Sequence, residues 1–129
     1  MPFEISTEVT FSAAHYIAGY KGDCARMHGH NWRVRASLRA AGFGDRSGGP
    51  AGVTYDFRAL RALMSDVAAL VDHSVLNELP DFKARNPTAE AIAEWFFGEL
   101  EKRLTDPAVK VARVEVWESA QNCAAYFRE

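Results

Sequence analysis

From Phe3 to His15 the odd positions read Phe3, Ile5, Thr7, Val9, Phe11, Ala13 and His15, with Glu4, Ser6, Glu8, Thr10 and Ser12 between them. This period of two predicts a strand with one buried face, and it places His15 on the core-facing side at the strand's end. Residues Tyr16 to Met27 contain Gly19, Gly22 and Asp23 without periodicity, which predicts a loop carrying Cys24. Alternation resumes with His28, His30, Trp32, Val34, Ala36 and Leu38 on one side and Gly29, Asn31, Arg33, Arg35, Ser37 and Arg39 on the other. Residues two apart point the same way on a strand and nearly opposite ways on a helix, so His28 and His30 open the apolar face of this second strand as a pair. Gly29 between them leaves room for close approach.

The period then changes. The glycine-rich stretch from Ala41 to Gly52 predicts a connection, and Val53 to Phe57 a short extended segment that ends on Asp56 as an N-cap. Phe57, Leu60, Met64, Val67 and Val71 recur at helical spacing and should lie on the sheet as one stripe. That helix is expected to end near Asp72-His73, before the turn-like Asn77 to Pro80. A second helix starts around Asn86-Pro87-Thr88, with Ile92, Trp95, Phe96, Leu100 and Leu104 as its stripe. Asp106-Pro107 turns the chain into a strand from Val109 to Glu118, with Lys110, Ala112, Val114, Val116 and Glu118 on one side. A turn over Ser119 to Asn122 leads to a closing strand ending at Phe127, in which Cys123 is expected as a small packed residue. This order predicts an α+β fold, a four-stranded antiparallel sheet with two helices on one face. Four strands leave edges, which a homo-oligomer would cover by joining sheets.

Composition narrows the setting. A chain of 129 residues, 48% hydrophobic and 25% charged, predicts one globular domain spanning 1–129. Its formal net charge of −2 and scattered basic residues give no continuous footprint for nucleic acid or an anionic membrane. The N-terminus lacks a basic segment followed by an apolar run, and no stretch approaches the ~18 consecutive apolar residues of a membrane span. With only two cysteines, Cys24 and Cys123, free thiols and a cytoplasmic location are the expectation.

Chemistry-bearing residues are few and crowded. The chain has four histidines, and Cys24, His28 and His30 fall within seven residues. Neutral histidines are good zinc ligands, and three of them with an open position make a catalytic type of centre; His28 and His30 supply two, and His15 could supply the third. Each also has an ordinary reading: His15 as a core histidine bonded to a carbonyl, His73 as a cation at a helix C-terminus, Glu118 as a solvated strand end. Cys24 could close a structural zinc site, or remain a thiol of lowered pKa able to take a proton. Asp72 could hold the His73 ring in one tautomer, as acid–base sites require.

Phe11-Ser12-Ala13-Ala14-His15, Cys24-x-x-x-His28-Gly29-His30-Asn31, Tyr55-Asp56-Phe57-x-x-Leu60, Leu70-Val71-Asp72-His73-x-x-Leu76-Asn77, Asn86-Pro87-Thr88-x-Glu90 and Trp117-Glu118-Ser119 occur in this order. Together they resemble the 6-pyruvoyl-tetrahydropterin synthase family over nearly the whole chain. The three-residue spacer between Cys24 and His28 resembles the bacterial 6-carboxytetrahydropterin synthase branch of the queuosine pathway. The resemblance implies the tunnelling fold, with trimers joining their sheets into barrels that stack as hexamers and active sites formed between subunits. It implies zinc (Zn2+) on His15, His28 and His30, Cys24 as catalytic base, Asp72 and His73 completing the proton-transfer set, and Glu118 anchoring the pterin. The implied activity converts 7,8-dihydroneopterin triphosphate to 6-carboxy-5,6,7,8-tetrahydropterin, acetaldehyde and triphosphate. Two alternatives stay open: formation of 6-pyruvoyl-tetrahydropterin from the same substrate, and a non-catalytic zinc- or pterin-binding module. Two departures from the family pattern are Ser119 after the glutamate and the long glycine-rich loop from Ala41 to Gly52.

Overall fold

The computed structural model describes residues 2–19, 22, 25–42 and 52–128. Two 13-residue strands, β1 (Phe3–His15) and β2 (His28–Ala40), pair antiparallel over their full length, with His15 opposite His28, Ala13 opposite His30 and Phe11 opposite Trp32. Helix α1 (Phe57–Ala69) follows, then the two-residue strand β3 (Ser74–Val75), two single 3₁₀ turns at Leu76–Glu78 and Pro80–Phe82, helix α2 (Ala89–Arg103), β4 (Val109–Trp117) and β5 (Cys123–Phe127). The sheet order is β3-β1-β2-β4-β5.

The α+β architecture follows the hydrophobic pattern, with one addition. The sheet has five strands, because Ser74 and Val75 run parallel to Ala13 and Ala14. Two residues are too short to carry a period, so no pattern announces β3; it exists because the chain leaving α1 is pinned to the β1 edge. Both helices cover the face bearing Phe11, Trp32, Val34, Leu38, Val114 and Val116, and all of these are buried against Leu60, Met64, Ile92 and Phe96. Full burial of each such side chain is worth roughly 1.5–3 kcal/mol, enough for this one layer contact to fix how the helices lie. The other face is charged: Glu8 pairs with Arg35 at 2.9 Å, Glu4 with Arg39 at 3.0 Å, and the Arg33 guanidinium lies 4.0 Å over the Trp117 ring.

Asp56 caps α1 as the sequence predicts, and of Asn86 and Thr88, which could both cap the second helix, Thr88 does so. The Asp56 side chain accepts the Arg58 N–H at 2.8 Å, and Thr88 Oγ1 accepts the Ala91 N–H at 3.1 Å. Four expectations change. Residues 53–56 form a turn and not an extended segment, and Phe57, at the helix's first turn, is 56% exposed and outside the core. Helix α1 stops at Ala69, and a turn carries the chain through Asp72 to His73, whose φ of 57° lies in the left-handed region. Cys123 is exposed, because it pairs with Trp117 on the charged face. Finally, Val109 and Val111 are buried and Lys110 is exposed, so β4 begins on the opposite parity. Leu38 pairs with Val111 but Ser37 with Arg113, which makes Ala112 the extra residue of a β-bulge. Beyond it the expected side, Val114 and Val116, faces the core. In the glycine-rich stretch, residues 43–51 lie outside the described residues, as does Cys24.

Candidate active site

The paired ends of β1 and β2 bring three imidazoles together. His15 is the last residue of β1 and 2% exposed, while His28 and His30 begin β2 on the same face. Their ring centroids are 4.6 Å (His15 to His28), 5.1 Å (His15 to His30) and 4.8 Å (His28 to His30) apart. One ring nitrogen from each lies within 4.8 Å of the others. Trp32 forms the floor, 5.0 Å from both His15 and His30, with its indole N–H donated to the Ala13 carbonyl at 3.2 Å.

Backbone carbonyls assign the tautomers. His15 Nδ1 donates to the Pro87 carbonyl at 2.7 Å and His28 Nδ1 to the Arg26 carbonyl at 2.6 Å, which leaves Nε2 of each with a free lone pair. The Nε2 atoms of His15 and His30 are buried without a hydrogen-bond partner. An unpaired buried polar atom is costly, and two in one cluster of imidazoles want a shared cation. Burial depresses the His15 pKa; the bond to Pro87 opposes the shift, and the neighbouring histidines add to it. Burial likewise lowers His30. Three imidazoles with ring nitrogens converging on one point, two of them with the outer nitrogen held by a carbonyl, fit a metal ion, with the orientation that outer acceptors provide.

Glu118, one residue beyond β4, reaches 3.9 Å from His30 Nε2. A turn holds it there, with the Glu118 N–H donated to the Asn122 carbonyl at 3.2 Å. It helps line a cleft of about 600 Å³ with His15, Ile17, Thr88, Glu90 and Asn122. A carboxylate at the mouth of an imidazole cluster can accept two parallel N–H bonds from a planar heterocycle.

Asp72 and His73 sit elsewhere on the same sheet end. His73 Nδ1 lies 2.9 Å from Asp72 Oδ2, and Asp72 Oδ1 accepts the Ser12 N–H at 2.9 Å. The His73 N–H in turn donates to the Ser12 carbonyl at 2.6 Å. The Ser12 amide, and next the His73 ring, hold the Asp72 carboxyl below its usual range. The His73 side chain is 82% exposed and borders a shallow hollow with Ser12, Ala14, Gly29, Asn31 and His30, so this hollow touches the imidazole cluster. The structure therefore joins His15, His28, His30 and Glu118, and it pairs Asp72 with His73 at the rim of a hollow that His30 also lines.

Sequence reasoning missed the carbonyls of Pro87 and Arg26, the Trp32 floor and the Ser12 anchor. The carbonyls carry no residue-type signal, and Trp32 read only as apolar. Pro87 did mark a helix start, and its fixed φ aims a carbonyl that the sequence could not assign to His15.

Residues 4–129 match the family model described as 6-pyruvoyl tetrahydropterin synthase. The 6-carboxy-5,6,7,8-tetrahydropterin synthase of Synechocystis sp. is 35% identical over 127 residues, covering 95% of this chain and 92% of the relative. The putative 6-carboxy-5,6,7,8-tetrahydropterin synthase of Archaeoglobus fulgidus is 36% identical over 112 residues, covering 86% and 88%. In three dimensions the chain is similar to Caenorhabditis elegans 6-pyruvoyl tetrahydropterin synthase, with a TM-score of 0.83, 28% identity and coverage of 98% of this chain and 96% of that one. Among the described residues no helix is long and apolar enough to cross a membrane. The chain belongs to the 6-pyruvoyl tetrahydropterin synthase family and is one of its enzymes.

Proposed function

We propose that the chain is a zinc-dependent lyase that converts 7,8-dihydroneopterin triphosphate to 6-carboxy-5,6,7,8-tetrahydropterin, acetaldehyde and triphosphate, a step of queuosine biosynthesis in the cytoplasm. The observation that carries this reading is the set of three imidazoles converging beside a carboxylate, with two buried Nε2 atoms lacking partners. The names of the Synechocystis and Archaeoglobus relatives supply the product.

In this reading His15, His28 and His30 hold zinc, which when bound supplies a Lewis acid for charge developing on side-chain oxygens of the substrate. Glu118 accepts N–H bonds from the pterin and sets its ring in the cleft. His73 exchanges a proton at Nε2 while Asp72 keeps Nδ1 protonated, the division of labour of an oriented imidazole. Cys24 acts as the catalytic base from the loop before β2. The His73 side chain is exposed at the sheet end, where the Asp72–His73 pair of one subunit can serve the zinc site of another. Two trimers with joined sheets, stacked as a hexamer, would supply that neighbour.

A second reading, 6-pyruvoyl tetrahydropterin formation from the same substrate, draws on the likeness to the Caenorhabditis elegans structure. Incubating the zinc-loaded protein with 7,8-dihydroneopterin triphosphate separates the two by product. Acetaldehyde with the carboxy-pterin supports the lyase, and a pyruvoyl product moves the assignment to the second reading. No turnover together with tight zinc points to a binding module with Cys24 on the metal. Cys24→Ala is expected to abolish turnover while zinc stays bound; loss of zinc from this variant would remove the thiol from its role as base.

A further inference from the structure

Among the described residues no strand pairs with the segment beyond His15, yet it is hydrogen-bonded as though one did. Asn77 Oδ1 accepts the Tyr16 N–H at 3.0 Å and its Nδ2 donates to the Tyr16 carbonyl at 2.9 Å. Asn86 repeats the pattern two residues on: Oδ1 accepts the Ala18 N–H at 2.9 Å and Nδ2 donates to the Ala18 carbonyl at 3.0 Å. A carboxamide presents the same donor and acceptor as a peptide group, so two asparagines at alternate positions imitate a paired strand. They continue a seam along β1 that starts with the Ser12 bonds to Asp72 and His73 and runs through the pairing of Ala13 and Ala14 with β3. Within this seam lies His15, whose Nδ1–H is taken by Pro87, the residue after Asn86.

We propose that Asn86, seconded by Asn77, is a positioning residue for the metal centre. Resting on the metal-binding reading above, its role is to hold the 86–87 segment against residues 15–18, so that the Pro87 carbonyl keeps His15 in the tautomer with a free Nε2. Neither asparagine touches the metal or the substrate. Their spacing sets which nitrogen of His15 is offered, and a wrong tautomer presents an N–H where a lone pair is needed.

The test uses zinc alone, competed against a chromophoric chelator, on the full chain and its variants, with the melting temperature of each metal-free protein recorded alongside. Removal of an outer partner typically weakens metal binding about 10–100-fold, and Asn86→Ala is expected in that range, with Asn77→Ala nearer the lower end. Asn86→Asp keeps the acceptor for Ala18 N–H but loses the donor, and is expected between wild type and Asn86→Ala. Long-range ¹H–¹⁵N spectra of the metal-free protein give the second readout: His15 as the Nδ1–H tautomer in wild type, a mixture in Asn86→Ala. A lowered melting temperature with unchanged zinc affinity and unchanged His15 tautomer would make the asparagines structural and overturn the proposal. Absence of zinc binding by the wild-type chain would instead overturn the metal reading, while the tautomer spectra would still report on the seam.

Discussion

The imidazole cluster and the Asp72–His73 pair lie at the same end of one sheet and are built in opposite ways. His15 is buried, shares a tryptophan floor with His30, and has its Nδ1 taken by a carbonyl, as does His28, so the cluster is fixed by its own chain. His73 is exposed, sits in a left-handed backbone conformation, and has its ring oriented by its neighbour Asp72 and its N–H held by the Ser12 carbonyl. A buried cluster with free lone pairs is organised toward a point inside the chain. An exposed, locally strained pair is open to solvent and, in the function proposed above, to a neighbouring subunit. Holding a non-glycine residue at φ 57° costs roughly 1–2 kcal/mol, which folding alone would avoid by placing glycine there.

The largest break in this contrast is His28→Ala. Removing an inner ligand is expected to weaken zinc binding by more than the ~10–100-fold of a lost outer partner and to end turnover, read by chelator competition and product formation. Retained zinc with full affinity would move the metal away from the cluster. Next comes His73→Gly, which removes the ring and relieves the backbone. Turnover should fall ~10²–10⁴-fold, as for a lost acid–base group, with zinc affinity unchanged. Stability to urea should rise by about 1 kcal/mol, since glycine adopts this backbone freely. A variant that loses both stability and zinc would show the pair to be structural. Mixing the two inactive variants, His28→Ala and His73→Gly, under conditions that exchange subunits should restore a fraction of wild-type activity. No recovery in demonstrably mixed oligomers would place both halves of the site in one chain.

The smallest effect is on pH. His15 and His30 have folded-state pKa values below the ordinary 6.5, so the unfolded chain takes up protons more readily than the folded one. Their penalty is absent above pH 6.5 and grows as pH falls through that value toward the folded pKa values. Metal-free protein should therefore lose stability below about pH 6.5, and His15→Gln should flatten that slope in urea titrations at stepped pH.

Strand parity made the cluster legible: His15, His28 and His30 share a face because 15 is odd on one strand and 28 and 30 are even on its antiparallel neighbour. The second helix offered Asn86 or Thr88 as its cap and the structure uses Thr88, while the cap Asp56 was legible from side-chain chemistry alone. The Pro87 and Arg26 carbonyls were not, because every residue has one and only the tertiary path selects which is used. Cys123 was misplaced for a related reason, since five residues of closing strand alternate too weakly to say which side faces the core. The exposure of His73 was equally invisible, as a turn after α1 has no period from which to read direction.

The bulge at Ala112 sets a rule about insertions and deletions. Val109 and Val111 face the core from odd positions, Val114 and Val116 from even ones, and Glu118 continues the even series toward the histidines. One extra residue is thus a change of phase, and the carboxylate beside the cluster inherits the phase. Loss of the single residue at 112 would let β4 pair without interruption in the register it already has, Val111 opposite Leu38 and Arg113 opposite Ser37, whereas loss of one residue from the regular stretch between 113 and 117 would turn Glu118 to the charged face without any substitution in the site. The bulge is thus the place in β4 where one residue can be lost without turning the carboxylate over.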